Sequence, residues 1–212
     1  MAPRLPFSVR RAEAHLRETD PVLGALIEQF GPYTPRPGID PYSALVRSIL
    51  YQQLAGAAAR AIDRKWRALY SDDGRTPAPE EILTTSDERF RSAGVSRQKA
   101  AYLRDLALHV ADGRLDFAAI ARFPDDEVIA RLTGVHGIGE WTAHMFLIFE
   151  LGRPDVLPAG DLGVRKGMQL AYNLDAMPTP ARAREIGAPW APFRSVGAWY
   201  MWRAAETVTP GA

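Results

Sequence analysis

An aspartate that follows a proline–glycine loop and opens a helix can hold a negative charge in a fixed place. Asp161 stands so, in Leu157-Pro158-Ala159-Gly160-Asp161-Leu162-Gly163-Val164. Read alone it is a helix N-cap, whose carboxylate satisfies free N–H groups of the first turn. Capping is compatible with chemistry, because a helix N-terminus favours negative charge. A second set of function-capable groups lies upstream, in Gly134-Val135-His136-Gly137-Ile138-Gly139. Its glycines let a backbone turn sharply and come close to a partner. The N–H groups that open the next helix suit a phosphate oxygen. A purely structural helical turn is an equal alternative at this point. These glycines do not spell G-x-G-x-x-G and no strand precedes them, which disfavours a nucleotide fold. Of the five tryptophans, Trp66 reads as core, whereas Trp141 and Trp202 are the better candidates for an aromatic binding face.

What is missing narrows the chemistry. The chain has no cysteine, which excludes disulfides, thiolate-bound zinc, iron–sulfur clusters and cysteine nucleophiles. Its four histidines show no metal-like spacing; His136 and His144 lie eight apart with no third ligand. With 26 basic and 25 acidic residues the net charge is +1, so any nucleic-acid contact must come from local placement. Arg89, Arg91, Arg97, Lys99 and Arg104 surround Gly94-Val95-Ser96. The ordinary reading of such a cluster is a solvated helix face, and phosphate contact is favoured for Arg97 and Lys99 only. The longest apolar run, Met145 to Phe149, ends at Glu150, far short of a membrane span. The N-terminus has no apolar signal core, so the expected compartment is cytoplasmic, with the nucleoid, or nuclear.

These groups need helices to position them. Apolar residues at helical spacing, punctuated by Pro and Gly, predict two short helices between Ser8 and Phe30, broken at Asp20-Pro21. Tyr42 to Leu69 reads as two helices with Gly56 as the break. Short helices follow near Pro79–Thr84 and Asp87–Ala93, then a longer one from Ser96 to Ala111. Pro124 and three acids open a helix that runs to Thr133. Glu140–Leu151 is apolar round nearly its whole circumference, which predicts a buried helix. Asp161 to Tyr172, Thr179 to Ile186 and Phe193 to Val208 complete an all-α chain, with no alternating run for a sheet.

The segment VHGIGEWTAHMFLIF, together with LPAGDLGVRKG downstream, resembles the helix-hairpin-helix DNA glycosylase superfamily, specifically the 3-methyladenine DNA glycosylase II branch. The likeness runs from about Pro37 to Trp202. It implies one glycosylase domain over residues 1–212, with two helical lobes around a cleft. The inner lobe would span about 42–155, and the second would combine the N-terminal helices with about 156–212. No N-terminal β domain is expected.

The resemblance also implies roles. Asp161 matches the catalytic aspartate. Trp141, Trp202, Met145 and Leu162 match pocket positions; Met145 stands where some relatives carry a tyrosine, which bears on base preference. Gln53 and Leu54, in Gln52-Gln53-Leu54-Ala55, match the wedge that fills the gap left by an extruded base. An ordinary core leucine is the competing reading of Leu54, and Tyr51 is open between core and pocket. Gly137 and Gly139, with Gly94, Arg97 and Lys99, would grip the DNA backbone. The carbonyls of Thr133, Val135 and Ile138 would bind a structural Na+ or K+; no other cofactor is required. Bifunctional relatives carry a lysine two residues after the last hairpin glycine, and Trp141 here offers no amine for a Schiff base. The implied activity is monofunctional, hydrolytic excision of alkylated purines (3-methyladenine, 7-methylguanine) in base excision repair. The partner would be double-stranded DNA containing alkylated bases, bound by a monomer, with no membrane. Asp161 acts electrostatically or orients water. A non-catalytic helix-hairpin-helix module that binds DNA or senses damage is the alternative.

Overall fold

The computed structural model describes residues 4–38 and 40–207, and every regular element among them is helical. The α-helices are α1 (Val9–Thr19), α2 (Pro21–Phe30), α3 (Pro41–Tyr51), α4 (Gly56–Arg67), α5 (Pro79–Leu83), α6 (Asp87–Ser92), α7 (Arg97–Ala111), α8 (Asp125–Thr133), α9 (Glu140–Met145), α10 (Leu162–Ala171), α11 (Pro180–Gly187) and α12 (Arg194–Glu206). None is long and apolar enough to cross a membrane.

Local chemistry explains most of these boundaries. Asp20 ends α1 and caps α2, accepting the N–H groups of Val22 and Leu23, while Pro21 begins α2 with the φ a first turn needs. Ser8, Asp40, Ser86, Ser96, Asp161 and Thr179 accept first-turn N–H groups in the same way. Three expectations need correction. Gly56 is the first residue of α4, and the break lies at Gln52–Ala55, where Gln53 takes a left-handed φ of 56°. The helix predicted over Glu140–Leu151 is α-helical only to Met145, then widens into a π-turn over Phe146–Glu150. The last helix ends at Glu206, and Val208, its expected end, lies outside the described residues.

The chain folds as two compact units, residues 1–39 with 147–212 and residues 40–146. The first unit buries Leu16, Leu23, Ile27, Met168, Trp190, Tyr200 and Met201. Its closest packing is that of α10 on α12. A methyl group at Gly167 would sit 1.9 Å from the Met201 carbonyl oxygen, so only a bare Cα fits there. Buried polar groups tie the first unit together: the Asp20 carboxylate accepts the Tyr172 hydroxyl and, at 2.8 Å, the Trp190 indole N–H. The Arg194 guanidinium holds Asp155 bidentately at 2.7 and 2.8 Å, fixing the start of α12 to the loop that leads towards Asp161. The second unit buries Leu45, Ile49, Leu50, Trp66, Ile82, Phe90, Leu103, Leu106 and Leu132.

Candidate functional site

In the first unit, Asp161 is the N-cap of α10, as its Pro/Gly-then-Asp setting predicts. Its Oδ1 accepts the Val164 N–H at 2.7 Å and the indole N–H of Trp202 at 2.8 Å. Two donors from two helices therefore fix one carboxylate. The arrangement depends on Gly163, where a Cβ would lie 2.8 Å from Trp202 Cδ1 and 3.1 Å from Asp161 Oδ1. Sequence reading passed over Gly163 and Gly167, although their i, i+4 spacing marks a helix face on which another backbone can lie close. Trp202 also packs on Phe149, with ring centroids 5.6 Å apart. Phe149 belongs to the π-turn, so that irregular turn aims an aromatic ring at the aspartate's partner. Leu162, next to Asp161, is 66% exposed. Arg165 and Lys166 turn to protein groups, the Pro178 carbonyl at 2.7 Å and Gln169 at 3.0 Å.

In the second unit, the hairpin between α8 and α9 has one glycine that its conformation demands. Gly137 has φ 86°, and a Cβ there would fall 2.3 Å from the Tyr102 ring. Gly134 and Gly139 have negative φ, so their conformations do not themselves require glycine. Gly139 instead leaves open space at the N-terminus of α9, with nothing within 4 Å of where a Cβ would be. That bare surface lets a large anion approach the N–H groups. His136 stacks on Tyr102, and its backbone N–H donates to Asp105 Oδ2 at 2.7 Å. This amide is taken by protein.

The turn between α3 and α4 belongs with this hairpin. Gln52 Nε2 donates to the Gly137 carbonyl at 2.8 Å across 85 residues of sequence. Gln53 is exposed, and Leu54 is 37% exposed, against the core reading of that leucine. Tyr51 lies half-buried under the Arg47 guanidinium, 4.9 Å from its ring centroid.

The helix after the hairpin is buried only in part. Ala143, Phe146, Leu147 and Ile148 are buried, but Trp141 is 56% exposed and Met145 half-buried, a correction to burial on all sides. Leu54, Trp141 and Leu162 are thus among the few large apolar side chains that the described chain leaves in water.

The basic cluster divides. Arg91 pairs with Glu88, Arg104 with Asp87, and Arg89 bonds the Leu69 carbonyl. Lys99, expected on phosphate, donates to the Leu50 carbonyl at 2.6 Å, and desolvation lowers its pKa. Arg97 is exposed and lines a pocket with Asp87, Phe90, Arg91, Val95 and Ala100, close in sequence to Gly94, whose φ is 84°. At the proposed cation position, the Val135 carbonyl accepts the Ile138 N–H at 3.1 Å. No trio of His, Asp or Glu gathers for a metal among the described residues.

Comparison with known proteins places this geometry. Residues 46–192 match the model of the HhH-GPD superfamily base excision DNA repair protein. The chain is 36% identical over 203 residues to DNA-3-methyladenine glycosylase 1 of Schizosaccharomyces pombe, covering 94% of this chain and 89% of that one. A solved structure of the S. pombe 3-methyladenine DNA glycosylase in complex with abasic DNA superposes with a TM-score of 0.82 at 36% identity, covering 92% and 97%. The crystal structure of a DNA-3-methyladenine glycosidase from Bacillus halodurans gives 0.83 at 37% identity, covering 95% and 92%.

Proposed function

The chain belongs to the HhH-GPD superfamily of base excision DNA repair proteins, and from that premise we propose that it is a monofunctional DNA glycosylase that flips out alkylated purines, 3-methyladenine and 7-methylguanine, and hydrolyses them from duplex DNA. The observation that carries this reading is the carboxylate of Asp161, pinned through Oδ1 by the α10 backbone and by Trp202.

In the reaction the C1′–N bond breaks and its electron pair leaves with the base. A water oxygen adds to C1′ and gives up a proton to solvent. The sugar passes through an oxocarbenium-like state, positive at C1′. An alkylated purine already carries positive charge, so it departs neutral and needs little protonation. What remains for the protein is to stabilise the sugar cation, and a fixed anion does that without reorganising. Asp161 is that anion, held by a cap and an indole so that its charge does not drift. The exposed face of Trp141 and the ring of Trp202 offer electron-rich surfaces, which favour a cationic base over a neutral one. Trp141 supplies no amine, so no covalent sugar adduct forms.

The second unit supplies the grip. The amides of Gly137 and Gly139 take phosphate, Leu54 enters the stack, and Arg97 adds a backbone contact. The Thr133, Val135 and Ile138 carbonyls are hard oxygen donors of one turn. The Val135 oxygen has a second lone pair beyond its bond to Ile138, so these carbonyls would hold a Na+ or K+, which would supply positive charge beside the hairpin. One copy of the chain suffices for these roles.

Asp161→Asn tests the catalytic assignment cleanly. Asparagine caps a helix as well as aspartate does and keeps an acceptor for Val164 and Trp202, so the fold is retained while the charge is lost. Excision from methylated DNA should fall about a hundredfold or more, with binding to an abasic analogue kept and no borohydride-trapped adduct in either protein. Wild-type excision by this variant would sink the assignment of Asp161, whereas a wild-type protein that binds the abasic analogue and releases no base would leave a non-catalytic DNA-binding module.

A further inference from the structure

Three side chains on one face of α7, at i, i+3 and i+6, reach two parts of the second unit, the end of α3 and the hairpin between α8 and α9. Lys99 Nζ donates to the Leu50 carbonyl in the last turn of α3, at 2.6 Å. The Tyr102 ring lies under Gly137 and is stacked on His136 with planes 12° apart. Asp105 accepts the His136 N–H at 2.7 Å. Gln52 closes the circuit, since its side chain runs from the end of α3 to the Gly137 carbonyl at 2.8 Å. Between these ties sits the Gln52–Ala55 turn, with Gln53 at positive φ and Leu54 projecting into water. A left-handed non-glycine residue is strained and persists only where its surroundings over-determine it.

We propose that Lys99 and Gln52 are positioning residues that lock the Leu54 turn to the phosphate-gripping hairpin, with α7 as the common bracket. Gripping the backbone then sets the depth and direction of the wedge, so that binding energy is spent on unstacking rather than on ordering a loop. This assigns Lys99 away from the phosphate: a turned-out ammonium would leave a terminal α3 carbonyl without this partner. Desolvation of Lys99, which lowers its pKa, accords with an inward-facing amine. The inference rests on reading the protein as a base-extruding glycosylase.

The experiment compares one alkylated purine in two settings, paired in a duplex and unpaired in a bulge. Single-turnover excision and the salt dependence of DNA binding are measured on the full chain. Extrusion from the stack costs less for an unpaired base. Lys99→Met and Gln52→Leu should each slow excision of the paired base about tenfold and leave the unpaired base within about twofold. Their salt slopes should match wild type, and Leu54→Ala should reproduce the same pattern. Arg97→Ala, by contrast, should lower the slope by about 1 and weaken both substrates alike. The proposal is overturned if Lys99→Met behaves like Arg97→Ala, if both substrates slow equally, or if neither changes. A wild-type protein inert on both substrates would instead refute the glycosylase reading on which the inference stands. Two variants on different strands of the circuit keep the test informative should one of them misfold.

Discussion

One oxygen of Asp161 receives both a backbone N–H and an indole N–H, and that pair of hydrogen bonds separates what the residue does for folding from what it does for chemistry. The cap belongs to α10 and would hold in any helix. The indole contact comes from α12 and serves the site, because Trp202 could bury its ring without donating to this carboxylate. Trp202→Phe should therefore leave the packing on Phe149 nearly intact while removing one donor from the charge. A hydrogen bond to a charged group is worth about 1.5–3 kcal/mol, so excision should drop roughly ten- to a hundredfold. The melting temperature should move far less than in a truncation to alanine. Kinetics on one alkylated duplex, read beside thermal melts, checks it; an unchanged rate would make the indole a packing group alone.

At the scale of elements, the site is an outcome of how closely α10 and α12 cross. Gly163 admits the Trp202 ring, and Gly167 admits the Met201 carbonyl, where an added methyl would overlap at 1.9 Å. Gly167→Ala gains up to about 1 kcal/mol of helix propensity, yet overpacking at a backbone contact costs about 1–3 kcal/mol and pushes the helices apart. At the upper end of that cost the net loss is about 2 kcal/mol, which corresponds to a melting temperature lower by about 4–8 °C in a chain of this size. Excision should fall as well, since Trp202 leaves Asp161. Thermal denaturation and single-turnover rates together check this, and a stable, fully active variant would contradict it. The crossing shows where sequence reading stops. Caps and prolines are local, so Asp20-Pro21, Ser96 and Asp161 announce their helices directly. Asp161 as a helix cap and the hairpin glycines are legible for the same reason, as residues whose neighbours in sequence define them. What a glycine makes room for is set by a helix distant in the chain, so Gly163 and Gly167 passed unnoticed. The bond from Gln52 to Gly137 spans 85 residues, and the π-turn at Phe146 depends on packing that no periodicity encodes. Lys99 reads as a surface cation until Leu50 is placed beside it.

For the molecule as a whole, near-neutral charge means that its response to pH depends on individual buried groups rather than on general repulsion. The tyrosines dominate that response at high pH. Burial pushes the Tyr33 hydroxyl up to about 12 from an ordinary 10.0. Burial likewise raises Tyr172 and Tyr200, which also face the carboxylates of Asp20 and Glu13. In the other unit, Tyr42 is raised by burial first and then by Glu80 and Asp40, and Tyr70 is raised by burial. Each of these groups stays protonated in the folded chain at a pH where the unfolded chain has lost the proton. A raised folded pKa contributes stability that is intact below the unfolded value and drains away as pH climbs towards the folded one. Between about pH 10 and 12 Tyr33, Tyr172 and Tyr200 in one unit and Tyr42 in the other each remove up to roughly 1.4 kcal/mol of stability per pH unit, so neither unit escapes. The protein should unfold cooperatively within this window, with tyrosinate absorbance rising at the same pH as helical circular dichroism is lost. Tyr200→Phe removes one ionisable group along with its bonds to Gly31 and Glu13. That variant should start less stable at neutral pH yet lose stability less steeply in alkali. Tyrosinate signals that develop fully while the helices persist would mean that these hydroxyls reach solvent in the native state.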